Sequence, residues 1–131
     1  MPQTITPYLL YEDPASVLEW LRRAFGFREA MRMEGPDGRV AHAVMEVGDG
    51  ARVFMGGPGG GYKNPKHLGA RTALLYVYVD DVDAHCARAR EAGAAIEEEP
   101  ADQEYGERRY AAEDPEGQLW YFAAPIASDG G

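Results

Sequence analysis

The side chains with chemistry to offer are a few histidines, several carboxylates, a single cysteine and a set of tyrosines. His42 and Glu46 fall on alternate positions of one strand-like stretch and so share a face. At about 3.3 Å per residue they stand about 13 Å apart, too far to bind one ion directly. His67 lies in a glycine-rich connection and His85 on a helix, and no His/Glu spacing matches a local zinc motif. His42 has the chemistry of a general base, with Glu46 or Glu113 as partner. The plainer reading, a hydrogen-bonded pocket or core histidine, is preferred. Cys86 sits on the apolar stripe of a helix and reads as an inert core thiol. Arg108-Arg109 can anchor an anionic group or pair with Glu107 or Glu113. Glu97-Glu98-Glu99, with Asp102 and Glu104, reads as a solvated edge that can also attract a cation. Gly56-Gly57-Pro58-Gly59-Gly60-Gly61 lacks the Gly-Lys-Ser/Thr ending and the following helix of a phosphate loop. It reads as a crossover, or as a lid carrying Tyr62.

The chain that must position these groups has 131 residues, enough for one domain or two small modules sharing a core. Its formal net charge of −9 opposes nucleic-acid binding and is compatible with a cationic small molecule. No apolar run is long enough to span a bilayer. Met1-Pro2-Gln3-Thr4 has neither the basic start nor the apolar stretch of a secretory signal. With one cysteine there is no intrachain disulfide. A cytoplasmic protein without membrane or nucleic-acid partners is expected.

In order, Ile5 to Glu12 reads as a strand, and Asp13-Pro14 opens a helix with Val17, Trp20, Leu21, Ala24 and Phe25 as its buried stripe. Gly26 ends it. Strands over 27–33, 39–47 and 51–55 follow, separated by Gly35-Pro36-Asp37-Gly38 and Gly48-Asp49-Gly50. Residues 58–69 read as a connection. The order then repeats: a strand over 71–79, a helix capped by Asp80/Asp81 and ended at Gly93, then strands over 94–98, 107–113 and from the Asp114-Pro115-Glu116-Gly117 turn to Ala123. The repeat aligns Gly50 with Gly117, Val53 with Trp120 and Phe54 with Tyr121.

Two βαβββ units, an Asp-capped helix ending in Phe25-Gly26-Phe27, Val79-Asp80-Asp81-Val82-Asp83-Ala84, Gly106-Glu107-Arg108-Arg109 and the Asp114 to Trp120 stretch together resemble the vicinal oxygen chelate superfamily. That group holds glyoxalases, bleomycin-resistance proteins and extradiol dioxygenases. The resemblance implies an α+β fold in which two tandem βαβββ modules form a curved, cup-shaped mixed sheet with helices on the convex side. A single domain over 1–126 is expected, with modules at about 4–57 and 70–126 and a flexible tail at 127–131. In the superfamily's enzymes a divalent metal is held from the first and last strands of each unit. The matching positions here are Thr6, Phe54, Leu74 and Tyr121. Phe and Leu carry no donor, and a tyrosine ligand needs its phenol, ordinarily near 10, lowered sharply. The metal is therefore not carried over, and no cofactor is expected.

If Leu74 and Thr6 face the cup, strand alternation places Tyr76, Tyr78, Tyr8 and Leu10 there too. Val40, His42, Val44 and Glu46 join them from the third strand, and the repeat adds Arg109, Ala111 and Glu113. The expected ligand-binding set is Tyr8, His42, Glu46, Phe54, Tyr76, Tyr78, Arg109 and Tyr121. A cup so rich in aromatics suits planar or cationic organic ligands. The bland alternative is that these rings fill a sheet face or a dimer interface. The reading is a metal-independent binding protein of the bleomycin-resistance kind. It would act as a homodimer and sequester a planar aromatic or cationic compound such as an antibiotic. The alternative is a lyase, isomerase or dioxygenase that uses an off-pattern metal or an acid/base pair of His42 and Glu113.

Overall fold

A computed structural model describes residues 3–126; the expected tail at 127–131 lies outside the described residues. The first module comprises β1 (Tyr8–Leu10), α1 (Pro14–Phe25), β2 (Arg28–Glu34), β3 (Val40–Val47) and β4 (Ala51–Gly56). A short helix, α2 (Pro65–Leu68), precedes the second module. That module comprises β5 (Leu74–Tyr78), α3 (Val82–Glu91), β6 (Ala95–Asp102), β7 (Glu107–Glu113) and β8 (Leu119–Pro125). The helix signals act as read. The Asp13 side chain takes Ser16 N–H at 3.4 Å and Asp81 takes Ala84 N–H at 3.0 Å. Gly26 closes α1 at φ 76°, and a Cβ there would lie 2.9 Å from Arg88 Nη1; the same guanidinium donates from Nε to Arg23 O and from Nη2 to Arg22 O at the end of α1.

Each module folds into its own four-stranded mixed sheet, in the orders β1-β4-β3-β2 and β5-β8-β7-β6. β1 runs parallel to β4 and β5 parallel to β8, and the remaining pairs are antiparallel. The registers are equivalent: Tyr8 stands opposite Phe54 as Tyr76 stands opposite Tyr121. The sequence repeat is thus a structural one.

Several boundaries differ from expectation. β1 is shorter because Pro7 has no N–H to give a ladder, although its carbonyl still accepts from Phe54 N at 2.9 Å. β6 continues through Pro100, which an edge strand tolerates where the register shifts between Glu98 and Ala101. Val40 packs into the core instead of the cup, following a register irregularity between Met33 and Glu34. The 58–69 connection is partly helical, as α2 shows.

One core underlies both sheets. Phe25 packs 4.7 Å from Phe122 and Phe27 packs 5.3 Å from Trp120, so the end of α1 is built into the second module. Trp20 Nε1 donates to Ala92 O at 3.1 Å, joining α1 to the end of α3. His85 bridges the same seam. Its Nε2 donates to Phe25 O at 3.0 Å, which leaves Nδ1 to accept from Tyr110 Oη at 2.5 Å. Burial lowers this imidazole to about 4, so it is neutral at physiological pH.

Candidate functional site

The last strand is placed by a buried polar network. Asp114 Oδ1 accepts from Glu116 N at 3.0 Å and Gln118 N at 3.1 Å. Its Oδ2 accepts from Tyr11 Oη at 2.7 Å and Trp120 Nε1 at 3.2 Å. Glu116 accepts from Glu12 N at 2.6 Å, Asp13 N at 2.8 Å and Asn64 Nδ2 at 3.0 Å. Burial raises the Asp114 carboxyl, against the pull of its hydrogen bonds. The turn therefore fixes the first residues of β8, the start of α1 and the entry to α2 as one unit, and through β8 it aims Tyr121.

On the first sheet, Tyr8 Oη lies 2.9 Å from His42 Nδ1. Phe54 stands edge-on to both, with centroids at 6.0 Å from Tyr8 and 5.2 Å from His42. Glu46 is met by Arg28 at 2.7 Å and Arg52 at 3.8 Å. Met31 and Met33 pair with Val44 and His42 and extend this face toward the sheet edge.

On the second sheet, Tyr76 and Tyr121 lie nearly parallel, 15° apart with centroids at 6.0 Å. Tyr121 Oη donates to Glu98 at 2.5 Å, and the Arg109 guanidinium sits 4.7 Å over the Tyr121 ring. Tyr76 and Tyr78 each donate to Glu107 at 2.6 Å. Arg109 Nη1 donates to Tyr105 Oη at 2.9 Å, and that hydroxyl lies 3.3 Å from Tyr76 Oη. These bonds raise the Tyr121 phenol and lower the Glu107 carboxyl, so the phenols stay protonated and Glu107 stays charged. Tyr76 and Tyr78 are also among the residues lining a cavity of about 530 Å³ along β5, with Leu74, Pro7, Gln3 and Arg52.

The structure thus gathers Tyr8, His42 and Phe54 on one sheet and Tyr76, Tyr78, Arg109 and Tyr121 on the other. Glu46 lies on the first face but is engaged by arginines. His42 and Glu113 are not brought together: they belong to different sheets, and Glu113 pairs with Arg71 at 2.7 Å. Tyr62 donates to Leu10 O at 2.9 Å, at the edge of β1. Glu98, Tyr105 and Glu107 are additions. Alternation puts Glu107 on the face of Arg109, but the bulge hides Glu98 and Tyr105 stands in a turn.

The side chains at the superfamily's metal positions do not fit a metal. Phe54 and Leu74 offer no donor atom, the Tyr121 hydroxyl is committed as a donor to Glu98, and the Thr6 hydroxyl alone cannot hold an ion. Among the described residues, no three His, Cys, Asp or Glu side chains converge to hold an ion. No described helix is long and apolar enough to cross a membrane.

The family model for the Glyoxalase/Bleomycin resistance protein/Dioxygenase superfamily matches residues 4–122, and the chain belongs to this superfamily. It is 32% identical over 127 residues to the uncharacterised protein Mb0911c of Mycobacterium bovis, covering 93% of this chain and 83% of that protein. Among solved structures it resembles TioX from Micromonospora sp. ML1, with a TM-score of 0.75 and 34% identity over 96% of this chain and 99% of that one. A superfamily protein from Nocardioides shares the fold, with a TM-score of 0.69 and 21% identity over 100% of this chain and 87% of that one.

Proposed function

We propose that this protein is a metal-independent small-molecule binder that sequesters a planar aromatic or cationic compound, such as an antibiotic. The observation that carries this reading is the second sheet's tyrosine face. The hydroxyls of Tyr76, Tyr78 and Tyr121 are tied to carboxylates, which locks the rings in orientation for stacking. Tyr121 and Phe54 stand where metal-binding relatives carry a carboxylate, so the scaffold offers aromatic surface in place of a Lewis acid. Membership of a superfamily that includes bleomycin-resistance proteins, and the likeness to TioX across nearly the whole chain, support the same reading.

The working form is a homodimer in the cytoplasm, with its sites near the subunit interface. Tyr8 is 48% exposed, Met33 56% and Tyr78 59%, on sheet faces turned away from the helices. A second copy would cover such surface. A thermal-shift screen against planar natural products tests the reading. Stabilisation is expected for some compounds and is reduced in Tyr76→Ala and Tyr121→Ala. A broad panel without a single stabilising compound contradicts it.

A further inference from the structure

We infer that Glu107, held by the hydroxyls of Tyr76 and Tyr78, is a subsite for a protonated amine on a planar ligand. This rests on the reading of the cup as a small-molecule site. Each Glu107 oxygen takes one tyrosine hydroxyl, Tyr76 on one and Tyr78 on the other, both at 2.6 Å. Each oxygen keeps a further lone pair for an N–H donor. Glu107 forms no ion pair among the described residues. Its hydrogen bonds from Tyr76 and Tyr78 hold it below the usual carboxylate range, so the site keeps its negative charge.

The neighbouring cation is engaged through both terminal nitrogens, and its Nε is buried without a partner and out of a ligand's reach. Arg109 faces Glu98 at 3.4 Å, lies over the Tyr121 ring and donates to Tyr105. An anionic ligand would have to displace these partners, whereas a cation meets Glu107 directly. The Tyr76 and Tyr78 rings, tilted 64° with centroids 5.7 Å apart, present π-faces beside the carboxylate. Tyr76 and Tyr78 also belong to the lining of the cavity of about 530 Å³ along β5, so the two residues that hold Glu107 also border space for an aromatic body. The class is a planar aromatic amine that is cationic at neutral pH.

The test compares 9-aminoacridine, a cation, with acridine, neutral at mildly alkaline pH, by fluorescence titration of the full chain. The cation is expected to bind at least about tenfold more tightly. Glu107→Gln is expected to bring the two affinities together. Glu91→Gln, the same charge change at the exposed end of α3, keeps the preference. Equal affinities in the parent, or a preference that survives Glu107→Gln, overturn the subsite while binding itself stands. Binding of neither dye overturns the subsite and counts against the cup as a site for planar ligands. Should Glu107→Gln not fold, the parent protein decides: benzylamine, protonated at neutral pH, is expected to displace 9-aminoacridine where uncharged benzyl alcohol does not. Equal displacement by the two overturns the proposal.

Discussion

Tyr121 carries the account at the scale of single residues. In the proposed function its ring would stack on a ligand, while its hydroxyl is bound to Glu98, so the two parts can be separated. Tyr121→Phe keeps the ring and is expected to leave affinity for a planar ligand within about threefold. Tyr121→Ala is expected to cost about 1–2 kcal/mol, or about tenfold. Isothermal titration of both variants checks this. Strand alternation puts Tyr76 and Tyr78 on one face, and the repeat adds Tyr121, which pairs with Tyr76 in the sheet. Alternation could not find Glu98, which a bulge moves out of phase, nor Tyr105, which a turn delivers.

His85 gives a second residue-scale prediction, concerning pH. Its folded value is about 4, against about 6.5 for a free imidazole. Between these values the unfolded chain binds a proton that the folded chain excludes. The His85 contribution is therefore present above about 6.5 and is lost as pH falls toward 4, by up to about 3 kcal/mol. Denaturant melts of the parent and His85→Gln over this range are expected to show a shallower fall in the variant. Parallel curves would remove His85 from the explanation.

Among the elements, the Asp114 turn matters most. Its Asp-Pro-Glu-Gly sequence was legible as a turn, but its second role was not. Glu116 reaches Asn64, 52 residues away, and Glu12, 104 residues away, and no local pattern reports such pairings. For the same reason α2 is not legible in the sequence: its Pro-Lys-His-Leu turn is too short for periodicity, and Asn64 caps it while held from the other end of the chain. Asp114→Asn is expected to lower stability by about 1–3 kcal/mol. An amide would turn its NH₂ toward donors such as Trp120 Nε1–H or the Glu116 and Gln118 amides. Gly117→Ala is expected to be at least as damaging. Gly117 has φ +90°, and an added Cβ would stand 2.8 Å from Lys66 N, which is backbone and cannot swing aside. Chemical denaturation reads both effects.

At the scale of the whole molecule, the duplicated βαβββ order was legible because glycine turns and helix caps punctuate it twice. The division into two sheets was not, since alternation within strands says nothing of how modules are joined. Both sheets end in an unpaired edge, β1 and β5, flanked by exposed apolar side chains such as Leu10 and Leu74. If a second copy covers this surface, sedimentation velocity shows a dimer, and Leu10→Glu weakens it by about tenfold or more. A parent protein that sediments as a monomer at high concentration would contradict the dimer.

In the proposed function, aromatic surface and not a metal does the binding. The most direct measurement is a titration of chelator-treated protein, verified free of metal by elemental analysis, with a planar ligand found by the thermal-shift screen. Affinity is expected to be unchanged by metal removal and to fall about tenfold in Tyr121→Ala. Binding that disappears on chelation and returns with added divalent metal would contradict it.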